Sequence, residues 1–237
     1  MFDFVSVYDM SMPHSPKPGK SDTEAPARPV GAPRRSRSPE RDRPLLLRAT
    51  RRVAAQRGYD ATRFADVAAA TGVPISSLQY YFGTRDRLVR EAITDGALGE
   101  LARLERQVAS LTDPRERLRA VIASMIAMDD DERREGWLVW MEFWRTAMRD
   151  PELSVASVGV LGQWRQFLAS IIDEGRRTGD FDFEGTTEDA VTELMALLDG
   201  LGIPLALGHE YCDEIRAIRI ATRAAERMFY PGNRPTQ

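Results

Sequence analysis

Between residues 41 and 229 the apolar residues recur at three- and four-residue spacing, and no sustained run of strict apolar–polar alternation appears in that stretch. A period of 3.6 keeps one stripe of a helix against a core, whereas a half-buried strand needs a period of two. The chain is therefore expected to be all-α. Its punctuation divides it into helices. Leu46, Ala49, Val53 and Ala54 belong to a first helix that Gly58 ends, and Thr62 is the expected N-cap of a short second helix closed by Gly72. A third helix runs from about Ile75 to Phe82; Gly83 breaks it, and Thr84 caps a long fourth helix reaching about Ser110. Further helices are expected at about 113–128, 132–149, 152–177, 187–207 and 211–229. Their starts are marked by Asp113-Pro114, by Asp150-Pro151, and by Thr186 with Asp189 in capping-box spacing. At 237 residues the chain is long enough for a substantial core.

Residues 1–40 lack that periodicity and are crowded with Pro, Ser and Arg, which cannot bury enough surface to offset ordering entropy. They are expected to be a disordered tail, with Met10 and Met12 as alternative starts. Arg34, Arg35 and Arg37 read either as solvated charges or as an arm that adds phosphate and minor-groove contacts. No basic-then-apolar leader opens the chain and no run of about 18 apolar residues occurs, so neither secretion nor a membrane partner is expected. A single cysteine, Cys212, cannot close an internal disulfide, which suits the reducing cytoplasm.

The stretch from Phe64 to Phe82 has the layout of a helix-turn-helix. Ala68 is small where two helices cross, and Gly72 supplies the left-handed turn. Val67, Val73, Leu78 and Tyr81 fall on the packing side, leaving Ile75, Ser76, Ser77, Gln79 and Tyr80 on the outer side of the third helix. Ser and Gln can hydrogen-bond base edges, Ile can touch a thymine methyl, and Tyr hydroxyls can reach phosphates. Arg63 and Arg85 flank this element at two helix starts. The charge agrees: residues 28–90 carry fourteen arginines against five acidic residues, and residues 91–237 seventeen against twenty-seven. A basic front on an acidic body points to a polyanion partner for the front alone.

Gly58-Tyr59-Asp60-Ala61-Thr62, Ala68 to Val73, Leu78-Gln79-Tyr80-Tyr81-Phe82 and Thr84-Arg85-Asp86-Arg87-Leu88 together closely resemble the TetR-family N-terminal domain, over about 50 residues from Pro44 to Ile93. The resemblance implies a domain at 41–90 that binds double-stranded operator DNA. In it Thr62 and Arg63 would meet phosphate, Ser76, Ser77 and Gln79 would face bases, and Tyr80, Tyr81 and Arg85 would hold the backbone. Gln79 replaces the family's usual aromatic, and Ala65 stands where many relatives carry a long polar side chain, so base readout by the second helix is not expected.

The resemblance further implies that residues 91–237 bind an effector and form a homodimer; the protein is then expected to be a ligand-released repressor, with an activator or a regulator without a small-molecule effector as the alternative, and not an enzyme. The run from Trp137 through Trp164 to Leu201 resembles the BetI-like C-terminal subgroup. On a helical wheel Trp137, Trp140, Met141, Trp144 and Met148, with Val139, Phe143 and Ala147, fill an arc of about 200°, twice what a surface helix buries. These side chains are either plain core or the wall of a cavity for an apolar or cationic small molecule, with Met125, Phe167 and Met195 contributed by neighbouring helices. Asp199 borders the same apolar stripe and is either a ligand group or a capping or interface residue. Glu142 falls on the polar side beside Arg145 and is not expected to meet a ligand. The small residues Ala217, Ala221, Ala224 and Ala225 of the last helix, with Gly200, Gly202 and Ala206 of the one before it, suggest a close-packed dimer contact through the helices at about 187–207 and 211–229. His209, Cys212 and Asp213 are too few for a metal site, no phosphate-cradling or nucleophile motif is present, and no cofactor is expected.

Overall fold

The computed structural model describes residues 39–127 and 131–230, and the tail expected over 1–40 lies almost wholly outside them. The described residues form α-helices with no strand. In chain order these are α1 (Pro39–Arg57), α2 (Phe64–Thr71), α3 (Ile75–Phe82), α4 (Arg85–Val108), α5 (Pro114–Ile126), α6 (Asp131–Ala147), α7 (Pro151–Thr178), α8 (Thr187–Ala206) and α9 (Glu214–Phe229).

The sequence punctuation sets most boundaries. The side chains of Thr84, Asp113, Asp150, Thr186 and Asp213 each accept a first-turn N–H of the helix they precede. Pro114 and Pro151 start their helices where a missing N–H costs nothing. The start of α2 differs from expectation. Arg63 is the N-cap residue, and its N–H donates to the Asp66 carboxylate at 2.9 Å. Thr62 lies one step outside and donates its hydroxyl to the Gly58 carbonyl at 2.8 Å. Gly72 closes α2 at φ 70°, in the left-handed region a glycine enters without strain.

Two apolar clusters run through these helices. A smaller one joins Leu46 and Leu47 of α1, Val67 of α2, Leu78 and Phe82 of α3, and Leu88 and Ala92 of α4. Each large side chain buried there contributes about 1.5–3 kcal/mol, so the short helices α2 and α3 owe their stability to this shared core. The larger cluster takes in α5 to α9 together with Ala54 of α1 and Val89 and Ile93 of α4. Helices α1 and α4 thus serve both cores with successive turns, which ties the helix-turn-helix to the body without a linker.

Candidate DNA-reading face and ligand pocket

Helix α3 buries Leu78 and Phe82 completely and leaves the other side of its surface open. Ile75, Ser76, Gln79 and Tyr80 are exposed, Tyr80 by 84%, while Ser77 is half-buried. Tyr81 leans onto the small core and meets the Tyr80 ring edge-on, with centroids 5.6 Å apart. The result is a short helix with Ser, Gln and Tyr facing outward, a shape the roughly 12 Å major groove accepts. Arg63 is exposed at the start of α2, its guanidinium against the Asp60 and Thr62 carbonyls.

Two residues expected on this face are occupied elsewhere. Thr62 has no exposed surface, and its hydroxyl is spent on Gly58, so it shapes the α1–α2 turn instead of meeting phosphate. Arg85 points inward: Nε donates to the Thr62 carbonyl at 2.8 Å, another nitrogen donates to the Tyr59 carbonyl, and the guanidinium lies 4.7 Å from the Tyr59 ring centroid. Its donors satisfy carbonyls of a turn that no helix ladder reaches. Arg85 is therefore a clasp on that turn, not a free phosphate ligand.

The aromatic arc of α6 opens onto a cavity of about 50 Å³, several times what one water needs. Trp137, Trp140 and Trp144 form one wall, Leu161 and Trp164 of α7 another, with Met125, Met195 and two carboxylates, Glu100 and Asp199, completing it. Trp140 packs at 5.9 Å from Trp144 and 6.2 Å from Trp164 between centroids, and its indole N–H donates to Glu100 at 3.2 Å. Trp137 has no room to spare. A Cβ at Gly202 of α8 would lie 1.9 Å from its ring, so the indole rests directly on bare backbone. Burial pushes the Asp199 carboxyl up to about 6, and it has no hydrogen-bond partner or counter-ion among the described residues. Indole faces beside an unneutralised carboxylate make a site suited to a compact cation.

Six expected lining residues, Met125, Trp137, Trp140, Trp144, Met195 and Asp199, meet here. Three others do not. Met148 is 80% exposed, because α6 ends at Ala147 and the wheel no longer applies beyond it. Phe167 is packed within the body core, and Met141 is half-buried away from the cavity. Sequence reasoning also missed Trp164, Leu161 and Glu100 as lining. Glu100 and Leu161 sit on helices whose rotation only the packing sets, whereas Trp164 was legible as the large ring on the neighbouring helix.

The polar edge of α6 meets the connection between α1 and α2. Glu142 accepts the Tyr59 N–H and two bonds from Arg145, at 2.7 and 2.9 Å, and Arg145 in turn donates to Asp60 at 2.9 Å. The hydrogen bond from Arg145 holds the Glu142 carboxyl below the usual range. Glu142 thus stays clear of the cavity, as expected, but carries a structural contact that its place on the wheel did not announce.

The alanine stripe of α9 faces inward. Ala217, Ala221 and Ala225 are buried in the chain's own core, so the small side chains serve close packing of α9 within the chain. What remains exposed is a different strip: Ala196, Gly200, Ile203 and Leu207 along α8 and its end, with Ile215 and Ile220 on α9. Successive spacings of four, three and four residues put the α8 members on one side of the helix.

Residues 46–92 match the bacterial regulatory proteins of the tetR family, and residues 114–230 match the C-terminal domain of BetI-type transcriptional repressors. The chain is similar to the HTH-type transcriptional regulator BetI of Burkholderia cenocepacia, 31% identical over 184 residues that cover 76% of this chain and 89% of the relative. Among solved structures, a transcriptional regulator from Saccharomonospora viridis in complex with choline superposes with a TM-score of 0.73 at 24% identity, covering 80% of this chain and 98% of that one. A TetR-family regulator from Rhodococcus sp. gives 0.71 at 23% identity, over 80% and 98% of the two chains.

Proposed function

The chain belongs to the TetR family of transcriptional regulators, with a BetI-type C-terminal domain, and from that premise we propose that it is a repressor released from its operator by a small organic cation. The single observation that carries the reading is the cavity of four tryptophans and two carboxylates on the helix whose other edge holds the α1–α2 turn. Indole faces attract a desolvated ammonium group by about 2 kcal/mol or more each, and Asp199 supplies the formal counter-charge. The Saccharomonospora viridis regulator was solved with choline, a quaternary ammonium ion, and choline is the natural first candidate here. The domains divide as 41–90 for DNA and 91–237 for ligand and dimer contact. Ser76, Ser77 and Gln79 read bases, with Ile75 against a thymine methyl, while Arg63, Tyr80 and Tyr81 hold the phosphates.

A homodimer follows from the operator. One eight-residue helix reads too few base pairs, whereas two-fold pairing sets two half-sites about 34–36 Å apart. The exposed strip on α8 and α9 supplies the apolar surface for an isologous contact. Such a regulator works in the cytoplasm, where the DNA is. The test is a gel shift on the DNA flanking the gene, with choline added. Retarded duplex that choline frees supports the reading. Binding that ignores salt, where a slope of roughly −5 to −9 in log K against log salt is expected for about 6–10 phosphates, would sink it.

A further inference from the structure

Helices α1, α4 and α6 enclose a second cleft, of about 460 Å³, sharing only Trp140 and Glu100 with the aromatic pocket. Its character is the opposite. Two pairs of arginines, each one helical turn apart, converge on it: Arg48 and Arg51 from α1, Arg103 and Arg106 from α4. Asp95 and Glu100 are the carboxylates in its lining. Just outside, Glu135 is shared between Arg51 at 3.6 Å and Arg52 at 3.5 Å, so among the described residues five arginines in or beside the cleft stand against three carboxylates, a surplus of two positive charges. Arg48 and Arg106 have no counter-ion among the described residues.

Glycine makes the room. A Cβ at Gly96 would stand 2.6 Å from Arg51 Cδ, so the Arg51 stem lies against α4 backbone and carries its guanidinium into the cleft. Gly99, one turn on, faces open space. The floor is apolar, from Ile93 and Ala97 to Val139 and Phe143. DNA does not account for these charges. Arg103 and Arg106 follow Arg85, at the start of α4, by about 27–32 Å along the helix axis at 1.5 Å per residue, well removed from the turn beside α3.

We propose that this cleft binds a small organic dianion, a phosphate ester or a dicarboxylate, at a site separate from the aromatic pocket. The volume lies in the range of small-molecule sites, and guanidinium forks recognise both head groups in bidentate fashion. The full chain is titrated calorimetrically with inorganic phosphate and, separately, with succinate, against sodium chloride at matched ionic strength. The expected result is saturable binding, one per chain, about tenfold or more tighter than chloride for at least one of the two; which one is tighter tells phosphate from carboxylate. The double variant Arg48→Gln/Arg106→Gln should weaken it about tenfold, and Gly99→Leu, which fills open space and favours the helix, should abolish it. Choline binding should stay within about twofold in both variants, since neither touches the aromatic pocket. Equal responses to chloride and both dianions overturn the proposal, as does undiminished binding in both variants. So does a double variant that loses DNA affinity as steeply as anion affinity, because its arginines then serve DNA. None of these results bears on choline release.

Discussion

The carboxylate of Glu142 on α6 accepts the backbone N–H of Tyr59 in the turn between α1 and α2. Two turns and less away on the same helix, Trp137, Trp140 and Trp144 line the aromatic cavity. One helix therefore lines the aromatic cavity and also touches the turn that leads into α2 and α3. A ligand that repositions α6 must strain or release that contact, and the same turn is held from the other side by Arg85.

Glu142→Ala should uncouple the two ends of that helix. Choline should still quench tryptophan fluorescence, while its effect on operator affinity, ordinarily about 1–3 kcal/mol for an allosteric switch, should shrink by half or more. Operator affinity measured with and without choline decides it; an undiminished difference would mean the signal travels through α4 alone.

Asp199 should give cation binding a pH dependence. Its carboxyl, raised to about 6 by burial, is mostly ionised at neutral pH and is neutralised as the pH falls through 6. Choline affinity should therefore drop about tenfold between pH 7 and pH 5. Without ligand the sign is reversed: burial disfavours the charged form, so the folded state loses stability as pH rises through 6. Asp199→Asn should raise the apo melting temperature near neutral pH. It should also remove the pH step in choline binding. A step that survives in Asp199→Asn belongs to another group.

Gly202→Ala should evict the Trp137 ring. The new methyl would lie 1.9 Å from the indole, so the half-buried ring must move off the α8 backbone. A loss of about 1–3 kcal/mol of stability is expected, typical of an overpacked core, together with a choline affinity reduced far more than operator affinity. Unchanged choline binding would remove Trp137 from the site.

Gln79→Ala and Arg85→Ala should differ in kind. Gln79→Ala should cost about 1–3 kcal/mol on the operator and little on unrelated DNA. Arg85→Ala should lower the melting temperature and weaken all DNA, because it removes the charged donor from the Tyr59 and Thr62 carbonyls and leaves them only the longer bonds from the Thr62 N–H and the Arg63 guanidinium, each at 3.3 Å. Arg85→Ala at full stability would return that residue to the phosphate face.

Gly200→Arg should give folded monomers. Gly200 is exposed on the apolar strip of α8 with open space about it, so the substitution disturbs no packing within the chain. Sedimentation should show half the mass and gel shifts a lost operator complex. A dimer that persists places the interface elsewhere. Ala221, by contrast, is no test of dimerisation, since its burial means an arginine there would disrupt the fold.

The sequence by itself determined the elements and their ends. Period, proline, glycine and capping side chains act within about four residues, so the turn at Gly72, the starts at Thr84, Asp113, Asp150 and Thr186, and the open side of α3 were all legible. The family was legible too, because its motifs fall in that same local grammar. The tertiary structure decided which way each helix rolls and what a long side chain reaches. Both the alanine stripe of α9 and the aromatic arc of α6 look like surfaces in need of a partner, and packing assigned the first to the chain's own core and the second to a cavity. Thr62 and Arg85 have the right chemistry for phosphate, yet the carbonyls of the six-residue connection between α1 and α2 claimed them first. Glu142 and Tyr59, 83 residues apart, meet only because α1 and α6 pack side by side. Local rules carry no information across such a separation; the close approach of two helices creates it.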